Sequence, residues 1–145
     1  MTYAPTAGVG AATDSATLEN AMSDWKKAYQ EGMGHFAAQR HVDAVAAFRR
    51  ALEFDTKKTD VLHALAMALM HTGALDEAIE IGNRIVELDP EDPFAHTSLS
   101  MFLQRKGLIP EAEDEAAKAR LVSWKLELKK NPNAPPPEEG FKVLQ

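Results

Sequence analysis

The sequence predicts an all-α chain: a solenoid of three helix hairpins stacked end to end, closed by an extended carboxyl-terminal capping helix. Three observations carry this. The tripeptides Val42-Asp43-Ala44, Asp76-Glu77-Ala78 and Pro110-Glu111-Ala112 recur with their alanines 34 residues apart, and a fixed period of that length marks a stacked supersecondary unit. Gly73 and Gly107 lie five residues before the second and third alanines, with Gln39 in the corresponding slot of the first copy; glycine suits a tight interhelical turn because it accepts positive φ. Between these marks the apolar residues fall at helical spacing, clearest in Leu62, Leu65, Ala66 and Leu69.

The repeats therefore occupy about residues 25–58, 59–92 and 93–126, each a first helix, a short turn and a second helix, within a repeat domain spanning 23–130. Thr59 is placed to cap the helix that begins at Asp60. Asp89-Pro90 and Asp92-Pro93 mark the junction of the second and third repeats, because proline ends one helix and is tolerated in the first turn of the next. From Pro110 to Lys130 nothing breaks the helix. Acids (Glu111, Glu113, Asp114, Glu115) crowd its start and bases (Lys125, Lys129, Lys130) its end, which suits the helix dipole. Residues 124–130 are expected to cap the open end of the solenoid, with Leu121, Trp124 and Leu128 facing inward. Residues 1–22 read as an amino-terminal tail or extra helical turn. Residues 131–145, with Pro132, Pro135, Pro136 and Pro137, read as a proline-rich tail.

At 145 residues and 45% apolar, the chain suits one compact domain. No stretch approaches the ~20 apolar residues of a membrane span, and residues 1–14 lack a basic region followed by an apolar one, so membrane insertion and export are not expected. A cytoplasmic location is the default expectation. A net charge of -6, with 16 bases against 22 acids, disfavours nucleic acid as a partner. The absence of cysteine removes disulfides, thiolate metal sites and a cysteine nucleophile. No glycine-rich phosphate loop, nucleophile elbow or His-Glu-x-x-His motif occurs, and the acidic clusters Asp76-Glu77 and Glu111, Glu113, Asp114 sit at helix starts, where they complement the dipole. Neither an enzyme nor a cofactor is expected.

The three copies resemble the tetratricopeptide repeat: Trp-x2-Leu-Gly-x2-Tyr, then Ala-x3-Phe, then Pro. The second copy places Leu62, Leu65, Ala66, Leu69, Ala78 and Pro90 in those slots, with Gly82 at the aromatic position. The first matches at Gly32, Ala44 and Phe48, with Ala28, Glu31 and Thr56 as departures. The third matches at Leu99, Ser100, Leu103 and Ala112, with His96, Ala116 and Trp124 as departures. The resemblance implies a right-handed superhelix whose first helices line a concave groove for segments of partner proteins. By the family's register that groove is lined by Tyr29, Met33 and Phe36, by His63, Met67, Met70 and His71, and by Phe94, Thr97, Met101, Gln104 and Arg105.

Met33, Met67 and Met101 recur at 34-residue spacing, and a row of flexible thioethers makes an adaptable apolar surface for an amphipathic helix or hydrophobic peptide. Tyr29 and Met33 stand where the family's receptors for chaperone tails carry Asn and Lys, which disfavours that role. The expected function is a protein–protein interaction module, a scaffold, adaptor or assembly subunit. One alternative is a small chaperone resembling those of type III secretion translocators. Another is a small-ligand or metal-binding protein, since His63, Met67 and His71 at four-residue spacing could hold copper, although no carboxylate is evident to orient the imidazoles. Phe141, Val143 and Leu144, beyond the prolines, suggest docking of the tail onto a partner or into a neighbour's groove.

Overall fold

A computed structural model of the chain describes the backbone of residues 15–137 and the side chains of residues 24–137. The described residues form six helices and no strand: α1 (Ser15–Ala37), α2 (His41–Phe54), α3 (Thr59–His71), α4 (Leu75–Leu88), α5 (Pro93–Arg105) and α6 (Ile109–Lys130). The expected all-α repeat fold is present. The second helices start at His41, Leu75 and Ile109, and α3 and α5 start at Thr59 and Pro93, so the 34-residue period of the sequence is also the period of the helices. Helix α1 begins well before the first repeat, at Ser15.

Each helix packs on its neighbour in sequence. In addition α1 adjoins α3 and α3 adjoins α5, whereas α2, α4 and α6 do not adjoin one another. The first helices therefore lie on the inner side of the curve and the second helices on the outer side. The core runs along the seam between the two rows, through Phe48, Val61, Leu65, Ala66, Leu69, Ala78 and Phe102, with a second cluster of Leu62, Ile85 and Ala95.

The three turns inside the hairpins are built alike. Arg40, Ala74 and Leu108 N–H groups donate to the carbonyls of His35, Leu69 and Leu103 at 2.8–2.9 Å, and Gln39, Gly73 and Gly107 donate to Phe36, Met70 and Gln104 at 3.0–3.1 Å. This pair of bonds closes a helix through a left-handed residue. Gly73 and Gly107 have φ of 87°, and Gln39 adopts the same conformation at φ 61°. A side chain at a left-handed position costs roughly 1–2 kcal/mol, so the first turn carries strain that the other two lack.

Two pairs of neighbouring helices, α1 with α2 and α4 with α5, meet where a glycine faces a bulky side chain. A Cβ at Gly32 would stand 2.4 Å from the ring of Phe48, and one at Gly82 would stand 2.7 Å from Leu99. The second case explains how the repeat accommodates Gly82 at the aromatic position: Leu99, from the next repeat, fills the space.

Two local expectations are corrected. Thr59 is the first helical residue of α3 rather than its cap; Lys58 precedes it, and no side chain caps the end. The residues after α6 do not simply leave the domain. Ala134 is buried, its carbonyl accepts a 3.0 Å hydrogen bond from Trp124 Nε1, and Pro135 and Pro137 border a hollow shared with Trp124 and Thr97. Residues 131–137 thus cover part of the capping helix. The expected docking of Phe141, Val143 and Leu144 concerns residues outside those described.

Replacing Gln39 by Gly is expected to stabilise the fold by about 1 kcal/mol, because the left-handed turn then carries no side chain. Replacing Gly32 by Ala is expected to destabilise it by about 1–3 kcal/mol through overpacking against Phe48. Equilibrium denaturation in urea, at unchanged m-value, measures both.

Candidate groove

The inner face carries an open hollow of about 410 Å³ between α1 and α3, lined by Tyr29, Met33 and Phe36 from α1 and by Asp60, His63, Ala64 and Met67 from α3. It forms because the first helices spend one face on their hairpin partners and leave the other uncovered. Tyr29 is anchored at its base, its ring 5.9 Å from that of Phe48 and 6.2 Å from that of Trp25, while Met33 stands 43% exposed at the edge. Asp60 is its one carboxylate and is exposed.

A polar tie holds the α3 wall in place. His63 Nε2 lies 2.6 Å from Asp92 Oδ2, and Asp92 Oδ1 accepts the Phe94 N–H at 2.9 Å as the cap of α5. One carboxylate therefore starts α5 and orients the imidazole of α3, a cross-repeat pair that the residue pattern did not disclose.

Phe36 separates this hollow from a second one of about 390 Å³, bordered by Phe36, Ala37, Gln39, His41 and His71. Here the rings of His41 and His71 stack at 4.4 Å and 11°, with the Phe36 ring edge-on to both at 5.0 and 5.4 Å. Desolvation, with the neighbouring His41 and Arg105, holds the His71 imidazole below its ordinary pKa of 6.5. His41 Nδ1 is buried and has no hydrogen-bond partner among the described residues.

The groove positions expected from the sequence thus separate. Tyr29, Met33, Phe36, His63 and Met67 meet in one hollow. His71 belongs with His41. Thr97 borders the hollow at the capping helix, Phe94 stands free at 71% exposure, and Gln104 and Arg105 are exposed at the far end of α5. Met101 is half-buried and packs against the core. Met70 is a correction: at 4% exposure it lies inside the core with Leu69 and Ala66, because, four residues on from Ala66, it shares that residue's buried face of the helix. The copper reading is also altered. A carboxylate does orient His63, but His71 turns away to His41, so His63, Met67 and His71 do not border one hollow. Among the described residues no group of three His, Cys, Asp or Glu could hold a metal ion, and no helix is long and apolar enough to cross a membrane.

Residues 35–102 match the tetratricopeptide repeat family model. The hairpins on either side of that span are built to the same period, so the described residues as a whole have the tetratricopeptide-repeat architecture. No curated protein sequence matches it. Among solved structures it is similar to MamA, at 25% identity and a TM-score of 0.68 over 72% of this chain and 61% of MamA, so it spans about three fifths of that protein. It is also similar to the type III secretion translocator chaperone SycD of Yersinia enterocolitica, at 20% identity and a TM-score of 0.70, over 89% of this chain and 95% of SycD. SycD in complex with a peptide of the translocator YopD matches at 20% identity and a TM-score of 0.66, over 91% of this chain and 92% of SycD. The chain thus shares the fold of these proteins.

As pH falls, an unfolded chain protonates at position 71 before the folded one does. Stability that depends on a neutral His71 is therefore present above the ordinary imidazole value and declines as pH drops through it. An NMR titration is expected to place the His71 midpoint below 6.5, and Arg105→Gln is expected to raise it. A midpoint at or above that value contradicts the arrangement.

Proposed function

We propose that the protein works as a scaffold, adaptor or assembly subunit that docks an apolar segment of a partner protein in the hollow between α1 and α3. The observation that carries this reading is the hollow itself. Five of its seven lining residues are Tyr29, Met33, Phe36, Ala64 and Met67, and Met33 is left 43% exposed at its edge. Thioethers adjust to differently shaped side chains, so this surface suits an amphipathic helix or an extended hydrophobic peptide with modest sequence demands. The longer row expected from Tyr29 to Arg105 would then act in parts, with Thr97, Met101, Gln104 and Arg105 forming the continuation along α5.

A second reading, a small chaperone that shields a hydrophobic segment until it is delivered, draws support from the near end-to-end match with SycD. The same hollow would serve both roles; the difference lies in whether the partner stays.

The test is affinity purification of the intact chain beside Met33→Glu and Met67→Glu variants, with folding checked by circular dichroism. Burying an unpaired carboxylate costs several kcal/mol, so a partner that docks here is expected to bind at least about a hundredfold more weakly to each variant. Retention of the same partner by folded variants contradicts docking in this hollow. A complex that remains stoichiometric favours the structural subunit; a substrate kept soluble and then released favours the chaperone.

A further inference from the structure

We propose that the occupant of the hollow between α1 and α3 is an amphipathic helix of a partner protein that runs antiparallel to those two helices, with acidic residues in its first turn and a basic residue in its last. The inference rests on reading that hollow as a docking site, and deepens it by assigning the partner's secondary structure, direction and charge pattern.

The two ends of the groove carry the argument. Helices α1 and α3 run the same way: Lys58, just before α3, lies 4.5 Å over the ring of Trp25, and His71, the last residue of α3, meets the ring of Phe36 at 5.4 Å. Their C-terminal ends therefore lie side by side, and the negative ends of their dipoles add. Asp60, Ala64, Met67 and His71 form one stripe along α3, the first three bordering the main hollow and the last the smaller one. Phe36 borders both, so the two hollows lie end to end along the inner face. The stripe from Asp60 to His71 spans about 16 Å, or roughly three turns of helix.

The ends differ in charge. Asp60 is exposed and makes no ion pair among the described residues, whereas Lys58 lies on Trp25 and Asp92 is held by His63. At the other end stand the His41–His71 stack and the exposed Arg105, and the charges that act on His71 come from His41 and Arg105, with no carboxylate among them. Arg40 adds a further cation beside the first turn, its Nε 3.3 Å from His35 Nδ1. A helix laid antiparallel sets its positive N-terminal end against the negative ends of α1 and α3. Its first-turn acids, favoured there by its own dipole, then face Arg105, and its last-turn base faces Asp60. The parallel orientation brings like ends together and opposes both charges. An extended segment has no dipole to add. Apolar side chains of the docked helix at i, i+3, i+4 and i+7 meet Tyr29, Met33 and Met67 between those ends.

Two synthetic probes of about 15 residues test this: an amphipathic peptide with Glu in its first turn and Lys in its last, and the same sequence reversed end for end. Titrated into the intact isotope-labelled chain at low salt, the first is expected to bind at least about fivefold more tightly, a preference that shrinks as salt is added. Asp60→Lys with Arg105→Glu, both at exposed positions, is expected to invert the preference. On the wild-type chain, a nitroxide at the N-terminus of the first probe is expected to broaden the amide resonances of His71 and Arg105 and spare that of Asp60. Equal binding of the two probes, binding of neither, or broadening at Asp60 instead overturns the proposal. So does undiminished binding of the first probe carrying a central proline, which assigns the groove to an extended segment. If the proposal fails in any of these ways while Met67→Glu still loses the partner found by affinity purification, the docking reading stands. If the folded Met67→Glu variant keeps that partner, the docking reading falls with it.

Discussion

The close approach of neighbouring helices at Gly32 and Gly82 is the contact on which the rest of the structure depends. Where Gly32 lies under the ring of Phe48, no side chain separates α1 from α2, and the first repeat closes tightly enough for Tyr29 to pack on the same ring from the inner side. Gly82 under Leu99 plays the corresponding part between the second and third repeats, this time joining one hairpin to the next. Small residues at these points draw the two rows of helices together along a seam filled by Val61, Leu65, Leu69 and Phe102. A solenoid closed this way buries one face of each inner helix and leaves the other without a partner.

The hollow follows from that geometry, and its polar surroundings follow from the helix ends. Asp92 caps α5 because a carboxylate stabilises exposed N–H groups at a helix start, and its second oxygen is then available to His63 on α3. At the opposite ends of the inner helices, His71 and Arg105 occupy last turns, where positive charge is favoured. Their proximity disfavours protonation of His71, whose ring stacks on His41. Phe36, edge-on to that stack and facing the main hollow on its other side, keeps the two regions distinct. The exposed ion pairs along the surface, such as Arg49 with Glu77 at 2.7 Å, contribute little beside this packing.

The repeat frame was legible because period, breaker and proline all reported the same register: the alanines at 44, 78 and 112, Gly73 and Gly107, and Asp92-Pro93. The left-handed turn at Gln39 could be inferred only by alignment with those glycines, since the residue itself has no preference for that conformation. The inner face was less legible. Family register grouped Met67, Met70 and His71 on one side of α3, but a 3.6-residue turn spreads them over three surroundings: the hollow, the core and the histidine stack. His96, a departure from the repeat pattern, is buried with its Nδ1 2.7 Å from Glu115, a pairing across 19 residues that no local motif announces. The return of residues 131–137 onto Trp124 was equally hidden, because proline-rich composition speaks against a helix without saying where the chain goes.

Photo-crosslinking tests the central claim, docking at the inner hollow, most directly. A benzophenone side chain placed at position 33, on the edge of the hollow, is compared with one at position 80, on exposed α4, and the adducts are mapped by mass spectrometry. The account expects adducts from position 33 to fall on an apolar segment of the bound partner, with position 80 silent. Partner adducts from position 80 alone, with none from position 33, would place recognition on the outer helices and contradict it.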